Sequence, residues 1–176
     1  MKTLVVYYSR SGSTQRVAQT LAKNLSADVE EIIDLAPRSG AAGWLRAGRD
    51  ATLKRETPIQ ALKILPDDYE LVIVGTPVWA FNVTPAIRSF LREYGPRCRR
   101  VAFFCVMGGS GENRTFRTMT ELAGKQPLAT LAMREDQARA IWFSEPLKKF
   151  ADRLFHTSTS TPALADGHQD QIKARQ

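Results

Sequence analysis

Apolar positions recur along the chain at two different spacings, and the way these alternate predicts strands and helices in turn. Residues 3–8 (T-L-V-V-Y-Y) form a short, β-branched apolar run closed by polar residues, the pattern of a buried strand. Val17, Ala18, Leu21, Ala22 and Leu25 follow at helical spacing. Residues 28–35 (D-V-E-E-I-I-D-L) predict a second strand, its carboxylates suiting a sheet edge, and Ala36-Pro37-Arg38-Ser39-Gly40 ends it. Residues 69–75 and 101–106 are continuous apolar runs, as expected of strands covered on both faces. Residues 128–133 predict a short fifth strand. Between the third and fourth runs lies a well-punctuated helix. Thr84 is its predicted N-cap, Pro85 opens the first turn, Ile87, Phe90, Leu91 and Tyr94 form one stripe, and Gly95-Pro96 stops it. Phe116, Met119, Leu122 and Ala123 mark another helix. Leu147, Phe150, Ala151, Leu154 and Phe155 mark the last.

Strands alternating with helices imply a parallel sheet with helices on both faces and right-handed crossovers. Five strands suit the order 2-1-3-4-5, whose winding reverses between the first and third, and ligands sit outside the carboxyl ends of strands at that reversal. The segments leaving those two strands are residues 9–14 and 76–83, both expected to be loops. Residues 41–56 read as a helix weakened by Gly43 and Gly48, a candidate lid or a packing segment around Trp44. From residue 157 onward the chain is polar and aperiodic. The expected organisation is one domain over residues 1–156 and a mobile tail over 157–176.

The chain has 176 residues, the size of one domain, and no apolar run long enough for a membrane span. It opens without the pattern of a secretory signal, so a cytoplasmic protein is expected. Cys98 and Cys105 have no C-x-x-C spacing, and neither a disulfide framework nor a metal site is expected. A formal net charge of +7 admits an anionic partner. The basic residues are scattered apart from Arg92, Arg97, Arg99 and Arg100, without the interleaved aromatics of a nucleic-acid platform, so no nucleic-acid partner is expected.

The most informative stretch is Ser9-Arg10-Ser11-Gly12-Ser13-Thr14. It joins a buried strand to a helix, and a helix start presents unpaired N–H groups and the positive end of the helix dipole. Four hydroxyls and a glycine that permits close backbone approach make this a turn suited to a phosphate. A bare helix cap would use only one of those hydroxyls.

S-x-S-G-x-T directly after an apolar strand resembles the FMN phosphate loop of the flavodoxin-like family. Thr76-Pro77-Val78-Trp79-Ala80-Phe81-Asn82 is similar to the family's second flavin loop, and Met107-Gly108-Gly109-Ser110-Gly111-Glu112 to its last. The resemblance implies a doubly wound flavodoxin-like sandwich with non-covalently bound FMN. The implied cofactor-binding residues are Ser9, Arg10, Ser11, Gly12, Ser13 and Thr14 at the phosphate, Pro77, Val78, Trp79 and Phe81 at the ring, and Met107, Gly108, Gly109 and Ser110 at its pyrimidine edge. Trp79 is the expected ring contact, with Phe81 the second candidate, and burial of Trp79 in the core is the alternative. Electron carriers of the family commonly place an aromatic ring in the third loop, which is missing here. Those electron carriers are typically acidic, and this chain is basic.

The flavin itself carries the redox chemistry, so no catalytic side chain is required. Two functions follow from the resemblance, an electron carrier docking on a redox partner protein and an NAD(P)H-dependent reductase of quinones or related acceptors. A flavin-free interaction domain is the reading from another class. A signalling receiver would need an acidic cluster after the first strand and an aspartate after the third, where Tyr8-Ser9 and Gly75-Thr76 stand. A small phosphatase would need a cysteine framing its loop, and neither cysteine is placed for that.

Overall fold

The computed structural model describes residues 1–36, 55–140 and 145–156. Within them the strands are β1 (Thr3–Tyr7), β2 (Asp28–Glu31), β3 (Leu71–Trp79), β4 (Asn82–Val83), β5 (Val101–Met107) and β6 (Thr130–Arg134). The helices are α1 (Ser13–Leu25), α2 (Pro85–Tyr94), α3 (Glu112–Ala123), α4 (Glu135–Arg139) and α5 (Glu145–His156). Five strands pair in parallel in the order β2-β1-β3-β5-β6, and β4 folds back antiparallel on β3. With β4 set aside, this is the order expected from the sequence.

Side-chain alternation divides the core into two layers. Val5, Tyr7, Ile73 and Phe104 face α1 and α5, packing with Val17, Leu21, Phe150 and Leu154. Leu4, Val6, Val74 and Phe103 face the other way, against Ile87, Phe90 and Leu91 of α2 and Met119 of α3. Gly75 makes room in the first layer. A Cβ there would lie 2.0 Å from Cζ of Phe104, its partner in the β3–β5 register, so the ring fills the space that a side chain would need.

Three local expectations are corrected. The second strand stops at Glu31. Beyond it the chain pairs with an incoming segment, through an Asp34–Ile59 bridge and bonds from Leu35 N–H to the Pro58 carbonyl (3.0 Å) and from Gln60 N–H to the Ile33 carbonyl (2.9 Å). Residues 76–83 are a hairpin and not a loop. β3 continues through Trp79, Ala80 and Phe81 turn with φ of 48° and 58°, and Asn82 pairs back on Trp79. Thr84 stands at the N-cap of α2 without capping it, because its hydroxyl pairs at 3.1 Å with that of buried Thr76. The proposed lid falls mostly in residues 37–54, and the tail in 157–176, both outside the described residues.

Candidate functional site

Parallel strands place the C-terminal ends of β1, β3 and β5 on one edge, at the point where the chain's winding reverses. The three segments leaving those ends meet there. Tyr8, one residue past β1, sets its ring edge-on to that of Trp79, with centroids 5.6 Å apart and planes at 86°. The Arg10 guanidinium lies over the Trp79 ring, 5.9 Å from its centroid. At the third segment a Cβ on Gly111 would stand 2.9 Å from both Cα of Phe81 and Cγ1 of Val78, so the turn before α3 packs directly on the hairpin. Gly111 has φ +115°, which a side chain would resist, so space and conformation both call for glycine there.

The first turn has the features of an anion cradle. Gly12 takes the left-handed conformation, φ 86°, as the N-cap of α1, and no side chain caps the helix. The first helical bond runs from Arg16 N–H to the Gly12 carbonyl (3.0 Å), which leaves the N–H groups of Ser13, Thr14 and Gln15 without acceptors inside the helix. No acidic residue occupies the first turn of α1, so nothing on the helix offsets the positive end of its dipole. Ser9 Oγ accepts the Gly12 N–H at 3.1 Å and closes the turn. Arg10 and Ser11 are exposed, Ser9 and Gly12 half-buried, and Ser13 and Thr14 buried.

Pro77, Val78 and Trp79 are half-buried at the end of β3. Trp79 packs against one core layer and keeps part of its surface at the edge. Phe81 is brought to the third segment through its backbone, while its side chain is 60% exposed. Met107 is half-buried, and Gly108, Gly109 and Ser110 are exposed, with open space beside both glycines. Tyr8, Gly111 and Asn82 also belong to this constellation; the last two lie in the loops singled out in the sequence, but none of the three is among the residues expected to bind. Tyr8 reads there as the last residue of a strand. Gly111 is signalled only by the density of glycines around it.

Two titratable groups on the strands behind the site are shifted toward their neutral forms. Burial, with Glu31 second, pushes the Tyr7 phenol above its ordinary range. Burial, with Glu112 second, pushes the Cys105 thiol up to about 12. Neither can serve as a nucleophile or general base near neutral pH. The arrangement offers an anion cradle of main-chain N–H groups and hydroxyls, a flat aromatic surface and accessible main chain at one end of the sheet.

A family model described as Flavodoxin matches residues 2–136. The chain belongs to the flavodoxin family. The chain has its fold in common with a flavoprotein from Lactobacillus acidophilus NCFM crystallised in complex with FMN. The two are 24% identical, with 80% of this chain and 97% of that one covered and a TM-score of 0.65. A Bacteroides eggerthii DSM 20697 protein assigned as a flavoprotein is 22% identical, with 85% and 98% covered and a TM-score of 0.67. An NADH:FMN oxidoreductase in its apo form is 16% identical, with 93% and 92% covered and a TM-score of 0.57. At such identities the likeness is one of fold. Among the described residues, no helix is long and apolar enough to cross a membrane.

Proposed function

We propose that this protein is an FMN-binding redox protein, holding the phosphate in residues 9–14 and the ring system against Trp79. The observation that carries the reading is the meeting of three segments at one sheet edge, with Tyr8 and Arg10 both against Trp79 and Gly111 against the hairpin. The residues fit the cofactor at each end. The uncapped start of α1 suits a dianion, a half-buried indole suits a planar apolar ring, and the open space beside Gly108 and Gly109 admits a polar edge to the main chain.

The N–H groups of Ser13 and Thr14 would supply main-chain donors, with Ser9 and Ser11 adding hydroxyls. Arg10 would add a positive charge beside the phosphate by leaving the indole, a contact worth about 0.5–1 kcal/mol at an exposed site. Pro77, Val78 and Phe81 would flank the ring, and Met107 to Ser110 would meet its pyrimidine edge. Bound FMN supplies hydride and single-electron chemistry, and the side chains only bind, orient and exclude water.

Electron transfer to a redox partner protein is the first function proposed. NAD(P)H-dependent reduction of a quinone or related acceptor is the second, favoured by the third segment. Exposed Gly108, Gly109 and Ser110 carry no aromatic ring, so that side has room for a second planar molecule. The cytoplasm is the proposed compartment for either. Steady-state NADH and NADPH oxidation by the FMN-loaded protein, with and without a quinone, separates the two. Quinone-dependent turnover supports the reductase. No turnover, with reduction by a partner protein, supports the carrier. A protein that retains no flavin after FMN addition and desalting contradicts both and leaves the flavin-free interaction domain.

A further inference from the structure

Arg88, on the first turns of α2, is only 3% exposed. Among the described residues no carboxylate pairs with it. Among the described residues the one hydrogen bond of its side chain runs from Nη2 to Oδ1 of Asn82 at 3.4 Å, and its Nε has no partner there. Burial, with repulsion from Arg92 second, lowers its pKa, and Glu56 and Glu121 oppose this more weakly. A charge so placed is costly to the fold, and a chain optimised for stability alone would put an apolar residue there.

Asn82 explains where that cost is spent. It is fully buried, its Oδ1 also accepts the Val83 N–H at 2.9 Å, and it is the residue that pairs with Trp79 across the hairpin. Between them, Ala80 and Phe81 both stand at positive φ without being glycine, a turn that such residues do not favour on their own. The tip is thus held in a disfavoured conformation, and the hairpin base is pinned by Thr76 and Thr84. Arg88 reaches the same base from α2.

We infer that Arg88 is a positioning residue: through Asn82 it fixes the hairpin that presents Trp79, so that the indole is set for the flavin ring before the cofactor arrives. The inference rests on the FMN reading. Its consequence for the free protein can be measured without cofactor.

The test uses Arg88→Met and Arg88→Lys in the full chain. Three quantities are read: FMN affinity, the Tm of the apo-protein, and amide exchange in the hairpin against that in β1 and β5. Arg88→Met should weaken FMN about tenfold, the scale of one lost charged hydrogen bond. It should also speed exchange at Val83 and its hairpin neighbours while leaving the apo Tm unchanged or raised, because an unpaired buried charge is removed. Arg88→Lys, which keeps a charged donor, should recover most of the affinity. Wild-type affinity and hairpin exchange in a folded Arg88→Met protein overturn the inference. So does a lowered Tm with exchange raised throughout the sheet, which marks a purely structural residue. Should Arg88→Met fail to fold, Asn82→Ala decides. Faster hairpin exchange with unchanged β1 and β5 supports the inference, and unchanged hairpin exchange overturns it. If the wild-type chain takes up no FMN, the cofactor reading fails, while hairpin exchange still reports on Arg88.

Discussion

At the scale of single residues, the least replaceable positions are those where an atom has no room. Gly75 is the plainest, with Phe104 lying across the space a methyl would occupy. Gly75→Ala is expected to cost about 1–3 kcal/mol, the usual price of overpacking a core. Calorimetry should show Tm lowered by several degrees, and an unchanged Tm would mean that Phe104 moves aside freely. Neither this contact nor that between Gly111 and the hairpin could be read from the sequence, because each joins residues far apart in the chain. Gly12 was legible as a point of close backbone approach, whereas its place as the left-handed N-cap of α1, where the sequence suggests Ser13 or Thr14, is seen only in the structure. The hydroxyls of that turn were legible only in part. Ser9 turns back to bind Gly12 N–H, and Ser13 and Thr14 are buried.

At the scale of elements, strong punctuation gave the right boundaries and weak punctuation did not. The stretch running from Thr84 and Pro85 to Gly95 and Pro96 brackets α2 closely, even though the Thr84 hydroxyl serves Thr76 instead of capping. The β3–β4 hairpin escaped notice because its two turn residues are Ala80 and Phe81, where Asn-Gly or Asp-Gly would have announced a turn with both φ values positive. That choice of residues has a measurable cost. Ala80→Gly relieves one left-handed side chain and is expected to stabilise the protein by up to about 1 kcal/mol. Tm should then rise by roughly 2–4 °C, and a fall would show that Ala80 makes packing contacts worth more than its strain. The second strand was overestimated for a related reason. Ile32, Ile33 and Leu35 continue the apolar pattern past Glu31, but only Ile32 still bonds to β1, through its N–H to the Tyr7 carbonyl, and the backbone from Ile33 to Leu35 meets residues 58–60 instead.

At the scale of the whole molecule, the sheet was legible because its central strands are apolar on both faces and its crossovers leave few alternatives. The site followed from topology once the strand order was known, since the strand ends at the winding reversal must share an edge. What topology cannot supply is the fit between the segments, which rests on Tyr8 and Arg10 against Trp79 and on Gly111 against Val78 and Phe81. The account therefore stands on one measurement, a titration of the apo-protein with FMN followed by flavin fluorescence. It predicts quenching that saturates at about one FMN per chain, with Trp79→Ala abolishing most of the quenching and weakening binding roughly tenfold to a hundredfold. Flavin emission unchanged by the wild-type protein, or binding and quenching equal in Trp79→Ala, would contradict it.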